Sequence, residues 1–252
     1  MNITKMQSSL HIKIDNNIAT ITFFHPQSNS FPSGLLAVLT DNINKLSQNN
    51  QVAIILLKSE GVGAFCAGAS FDELLAIRNP QDGKKFFSGF ANLINAMRKC
   101  SKIIVGRVHG KAVGGGVGII AACDYAFATI NASIKLSELA IGIGPFVIEP
   151  AVSRKIGKNA MMEMALNPDT WKDAIWAKNK GLYSEICQNT IELEQEIDLF
   201  CSKLVSYNPD ALYQIKKISW EGTENWDTLL YQRAEISGSL VLSDFVRKAL
   251  SK

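Results

Sequence analysis

Apolar and polar residues alternate through residues 10–24 on either side of Asn16-Asn17. This period of two predicts a hairpin whose turn residues tolerate a positive φ. From 33 to 48 the spacing changes: Leu35, Leu36, Leu39, Ile43 and Leu46 recur every three or four positions, which predicts an amphipathic helix. Residues 52–57 then form an unbroken apolar run, as a strand buried on both faces requires. A small-residue loop follows at 61–68, with helical stretches at 71–77 and about 84–98 and a β-branched run at 102–108. After the glycine cluster at 114–118, residues 119–123 read as helix, and 125–129 and 133–136 as short strands. Beyond about 190 the period is helical throughout. Helices alternating with fully apolar strands predict the α/β class, with a parallel-rich sheet covered on both faces.

Composition narrows the picture. The 252 residues are 47% hydrophobic and 19% charged, which excludes a disordered chain. A net charge of +3, not gathered into a tail or stripe, argues against nucleic acid as a partner. The five cysteines (Cys66, Cys100, Cys123, Cys187, Cys201) are odd in number and widely spaced, with neither a C-x-x-C pair nor a nearby histidine, so reduced thiols are expected and a metal site is not. The opening residues lack the apolar core of a secretion leader, and the last three, Leu250-Ser251-Lys252, do not match a peroxisomal tail. No run approaches the roughly 20 apolar residues that span a bilayer. The expectation is a cytoplasmic protein with no membrane partner.

Two loops follow apolar strands: Gly61-Val62-Gly63-Ala64-Phe65-Cys66-Ala67-Gly68-Ala69-Ser70 and His109-Gly110-Lys111-Ala112-Val113-Gly114-Gly115-Gly116-Val117-Gly118. Small residues let a ligand approach the main chain, and free N–H groups at a helix start favour negative charge. Such a pair can form an oxyanion hole; read alone, triple glycine fits a tight turn or close helix packing equally well. Neither loop has the Gly-Lys-Ser/Thr of a P-loop. Gly114, Gly116 and Gly118 miss the dinucleotide spacing, and Asp124 follows too soon for its acidic partner.

The loops, in this order, resemble the crotonase superfamily, the enoyl-CoA hydratase/isomerase family, from the opening hairpin to the helical tail. The segment from Gly63 to Phe71 resembles its first signature, with Ser70 where aspartate is usual. The segment from Val108 to Gly116 with Cys123-Asp124 resembles the second. Ser133–Glu138 resembles the stretch that presents a catalytic glutamate, and Asn208-Pro209-Asp210-Ala211 with Lys216-Lys217 resembles the tail. The resemblance implies a spiral of ββα units over residues 1–195. Residues 196–252 would be a helical region of the same structural unit, a lid or oligomer contact, in a homotrimer or homohexamer. It implies an acyl-CoA substrate and no separate cofactor, coenzyme A being part of the substrate. The thioester oxygen would lie between the N–H groups of Ala69 and Gly115, with Ala67, Gly68, Ser70, Phe71 and Gly114 in substrate contact. Glu138 would be the acid/base; otherwise it caps a helix or bridges to Lys135.

The sequence departs from the family's hydratases in two places. They carry two glutamates, and the first position is Gly118 here. Downstream, Phe146 and Ile148 replace a glycine-rich stretch, and Glu149 appears beside them. The single glutamate turns the expectation toward double-bond isomerisation. The alternatives are hydration with Glu138 and Glu149 as the carboxylate pair, decarboxylation, and non-catalytic acyl-CoA binding. Glu149 also suits the first turn of a helix starting near Pro150. His109, His11 and His25 have no nucleophile motif to serve, Cys66 reads as a small buried thiol, and Lys111, Lys216 and Lys217 as solvated charge or contacts to CoA phosphates.

Overall fold

The computed structural model describes residues 7–250, so the opening MNITKM and the last two residues lie outside it. The chain runs through β1 (Ser9–Asp15), β2 (Ile18–Phe24), α1 (Ser33–Ser47), β3 (Ile54–Ser59), α2 (Phe71–Ala76), α3 (Pro80–Lys99) and β4 (Ile103–Val108). It continues through β5 (Ala112–Val113), α4 (Gly115–Ala122), β6 (Tyr125–Thr129), β7 (Ser133–Lys135), a 3-10 turn (Glu138–Ile141), α5 (Glu149–Ile156) and α6 (Lys158–Leu166). After β8 (Lys172–Asp173), α7 (Ala174–Asn179) and β9 (Glu185–Cys187) come α8 (Thr190–Val205), α9 (Pro209–Ser219), α10 (Trp226–Leu240) and α11 (Asp244–Leu250).

The main sheet has the order β1-β2-β3-β4-β6-β9. Its first pair is the antiparallel hairpin, turned by Asn16 and Asn17 at φ 48° and 61°, and every later pair is parallel. A second, shorter ladder advances beside it. Phe31 bridges to Ala69 and Cys66 to Ala112, β5 pairs in parallel with β7, and β7 pairs with β8. Turn after turn, a long strand and a short one are laid down together, which is the expected α/β spiral.

Successive side chains of a strand face opposite ways, so the apolar runs feed two cores. Ile55, Leu57 and Ile104 join the large cluster with α1, α3 and α4, while Ile54, Leu56, Ile103 and Val105 pack with Leu193, Ile197 and Cys201 of α8. Helix α8 runs unbroken across residue 195, and α10 lies along α3, so close that a Cβ on Gly83 would fall 2.6 Å from Gly238 Cα.

The structure extends several predicted elements. Helix α3 starts at Pro80, ahead of its apolar periodicity, because Asn79 caps it by accepting the Asp82 N–H at 2.9 Å and proline suits the first helical position. Helix α4 begins inside the glycine cluster rather than after it. Among the described residues no helix is long and apolar enough to cross a membrane.

A buried polar knot fastens α9 to the sheet. Asp124 Oδ2 accepts from the Ile104 N–H and pairs with Lys216 Nζ, each at 2.8 Å, and Oδ1 accepts from Trp220 Nε1 at 3.0 Å. The Lys216 ammonium also donates to the Lys102 carbonyl at 2.8 Å. Its side chain is 2% exposed, which corrects the expectation of a solvated or phosphate-binding lysine; Lys217, one position on, is exposed.

Candidate active site

Glu138 opens the 3-10 turn that follows β7. The turn is held by the Ile143 N–H donating to the Glu138 carbonyl at 2.9 Å, and by Gly142 at φ 83° donating to Leu139. Its carboxylate Oε2 is buried with no hydrogen-bond partner among the described residues. Burial pushes the carboxyl up to about 7, opposed by a hydrogen bond from its own main chain, because a charge out of water is disfavoured. Gly114 makes the space: its φ is 52°, and a Cβ there would stand 2.8 Å from Glu138 Oε1. The Gly114 N–H donates to Lys135 at 2.9 Å, which ties the glycine loop to the strand that delivers the carboxylate.

The two loops meet backbone to backbone. The Cys66 N–H donates to the Lys111 carbonyl and the Val113 N–H to the Cys66 carbonyl, at 3.2 and 2.9 Å. A Cβ on Gly68, at φ 89°, would lie 2.9 Å from the Val113 carbonyl oxygen and 3.5 Å from Gly115 N. Phe31 exchanges both its main-chain bonds with Gly68 and Ser70, at 2.7 and 3.0 Å, so the Ala69 N–H between them faces away from that ladder. Gly115 is the first residue of α4, where an N–H has no partner inside the helix. Neither N–H donates to another described residue, and both residues line the same cavity as Glu138.

That cavity, about 160 Å³, is walled by Phe86, Phe87 and Phe90 of α3, by the segment from Ile143 to Ile148, and by Ser237 of α10. Of the expected site residues, Ala67, Ala69, Phe71, Gly115 and Glu138 line it. Gly68 and Gly114 stand behind the wall as clearances. Ser70 is buried and caps α2, its hydroxyl accepting from the Glu73 N–H at 3.4 Å. Glu149 is not brought to the cavity: it starts α5, where its carboxylate accepts from Ser153 Oγ at 2.6 Å and faces Arg233 at 3.9 Å. Among the described residues, Glu138 is the only ionisable side chain in the lining.

The two departures from the hydratase pattern interlock. A Cβ on Gly118 would lie 2.4 Å from Ile148 Cγ2 and 2.7 Å from its Cβ, so the isoleucine occupies the space that a side chain at 118 would need. Alanine gains about 1 kcal/mol over glycine inside a helix, yet overpacking costs about 1–3 kcal/mol. Gly118→Ala is therefore expected to destabilise by about 1 kcal/mol net, and Ile148→Ala in the same chain to relieve the clash. Equal denaturation midpoints for wild type and Gly118→Ala would contradict the interlock.

The remaining candidates lie elsewhere. His109 is buried with both ring nitrogens unpartnered among the described residues, and burial, aided by Arg107, pushes it down to about 4; the ring is neutral and does not line the cavity. His25 hydrogen-bonds Ser30 Oγ at 2.9 Å, and His11 lies on β1. All five cysteines are buried and unpaired, and burial pushes Cys66 up to about 12, so it is no nucleophile. Lys111 and Lys135 flank the Trp171 ring at 4.9 and 4.8 Å. Sequence reasoning missed the three phenylalanines of α3 and Ser237. Nothing in helical spacing separates a residue facing a cavity from one facing a core.

Comparison with known proteins bears on the family and the fold. The family model described as enoyl-CoA hydratase/isomerase matches residues 13–249. A Bacillus subtilis protein named as a probable enoyl-CoA hydratase is 25% identical over 226 residues, 86% of each chain. A peroxisomal Delta(3,5)-Delta(2,4)-dienoyl-CoA isomerase of Arabidopsis thaliana is 26% identical over 225 residues, 83% of this chain and 79% of that one. The crystal structure of enoyl-CoA hydratase from Bacillus halodurans superposes with a TM-score of 0.88 at 22% identity, covering 96% of this chain and 98% of that one.

Proposed function

Because the chain belongs to the enoyl-CoA hydratase/isomerase family, we propose that it moves a carbon–carbon double bond within the acyl group of a coenzyme A thioester, with Glu138 alone handling the proton. The observation that carries this reading is that Glu138 is the only ionisable group lining the cavity among the described residues, while Ile148 fills the place beside Gly118. The Glu138 carboxylate takes the proton from the carbon between the thioester and the double bond of a 3-enoyl substrate. The electron pair of that C–H bond moves onto the thioester oxygen, giving a dienolate. Protonated Glu138 then returns the proton to C4, leaving the 2-enoyl isomer with nothing gained or lost.

The Ala69 and Gly115 N–H groups would receive the oxygen. Fixed donors aimed at charge that develops in the transition state stabilise it more than the starting carbonyl, by about 3–4 kcal/mol for one such donor. A carboxyl near 7 suits a group that must take up and release one proton at neutral pH. Hydration would need a further group to activate water, and no second carboxylate among the described residues reaches the cavity.

A product assay on 3-hexenoyl-, 2-hexenoyl- and glutaconyl-CoA tests the reading. Conversion of the 3-enoyl to the 2-enoyl thioester is expected. A 3-hydroxyacyl product would instead establish hydration, and CO2 from glutaconyl-CoA decarboxylation. Absence of all three, with no deuterium entering C2 of an acyl-CoA, would mark a binder without chemistry.

A further inference from the structure

Apart from Glu138 and its neighbour Ser137, the cavity lining has one polar side chain among the described residues. Ser237 is 1% exposed, yet its hydroxyl has no hydrogen-bond partner among the described residues. A helical serine commonly settles its hydroxyl on the carbonyl four residues back, and buried polar groups without partners are uncommon. Here the hydroxyl is left to the cavity.

Helix α3 gives its distance from the reacting end. Phe90 abuts Gly115, where a Cβ would meet its ring at 2.3 Å, and Gly83 abuts Gly238, next to Ser237. The seven residues from Gly83 to Phe90 span about 10 Å of helix axis. With the thioester oxygen at Ala69 and Gly115, as in the proposed function on which this step rests, one hydrogen bond of about 3 Å at each end leaves about 4–5 Å for the acyl group. The volume agrees: 160 Å³ is close to the roughly 150 Å³ of a cavity that takes up one benzene. Among the described residues no cation lines the cavity, so a second carboxylate there would be buried without a counter-charge from them.

We infer that the site takes a short acyl group of about five carbon atoms bearing a neutral hydrogen-bonding group near its far end, received by the Ser237 hydroxyl. Ser237 thus sets specificity and takes no part in proton transfer.

Calorimetric titration with 4-oxopentanoyl-CoA and 4-methylpentanoyl-CoA, which carry a carbonyl oxygen and a methyl group respectively on C4, tests it in wild type and Ser237→Ala. Wild type is expected to favour the oxo compound by about five- to tenfold, the span of a neutral hydrogen bond, and the variant to lose that preference. Both ligands report on the same folded molecules, so their ratio is independent of how much variant folds. Decanoyl-CoA is expected to bind more weakly than either. No preference in wild type, an unchanged ratio in Ser237→Ala, or tight decanoyl-CoA binding would each overturn the inference. Deuterium exchange at C2 of 4-methylpentanoyl-CoA on the same samples separates the two readings. Exchange without the oxo preference removes the role of Ser237 and leaves Glu138 in place; the preference without exchange does the reverse.

Discussion

Glu138→Gln is expected to abolish double-bond migration and C2 deuterium exchange, lowering both by at least the roughly 10²–10⁴-fold that a positioned acid/base contributes. Glutamine keeps the shape beside Gly114 but accepts no proton, and no other ionisable group among the described residues lines the cavity to take over. Affinity for a saturated acyl-CoA should change little, so the loss falls on turnover rather than binding. Retained exchange in the purified variant would remove Glu138 from the mechanism.

The same carboxyl predicts two opposite pH trends. With the folded group raised to about 7, the wild-type rate in the forward direction should climb as pH rises through about 7, as the base form fills. Stability moves the other way. Between the unfolded value of 4.5 and about 7 the native state holds a proton that the unfolded chain has lost, so stability falls with rising pH across this window. Glutamine escapes that cost: Glu138→Gln should melt higher than wild type at pH 8 and no higher at pH 4. Melting curves at the two values check the sign.

Lys216→Met is expected to cost about 3–5 kcal/mol, the scale for breaking a buried ion pair from one side. The Asp124 carboxylate, 10% exposed, would keep its bonds from Ile104 and Trp220 but lose the ammonium in contact with it. Lys216→Met with Asp124→Leu should recover part of the loss, since both members of the contact pair are gone, and only part, because Arg154 and Lys155 also interact with the Asp124 charge. Denaturant unfolding of the wild type and the three variants measures the coupling. Additive effects would mean that the pair is not a unit.

Much of the spiral was legible because its signals are local. The period-two hairpin, the three- and four-residue spacing of α1 and the apolar runs of β3 and β4 each follow from residues within one element. Strands β8 and β9, two and three residues long, carry no pattern of their own and exist because neighbouring strands offer a ladder. The start of α4 was hidden for a related reason. Glycine is a poor helix former, yet helical positions 116 and 118 are glycine because Cys66 and Ile148 approach too closely for any side chain. Lysine is almost never fully buried unless paired, and the Asp124 partner of Lys216 comes from 92 residues earlier in the chain. At the site, Glu138, Ala69 and Gly115 came from motif resemblance, whereas the aromatic wall and Ser237 depend on how α3 and α10 pack.

The meeting of Gly118 with Ile148 also constrains the order in which this chain could acquire a different chemistry. A carboxylate introduced first at 118 would have to force the isoleucine aside, and shrinking residue 148 first would open a void with no group to fill it. Either first step carries a folding penalty before any catalytic benefit exists. A second carboxylate at 118 would therefore need both positions to change almost together.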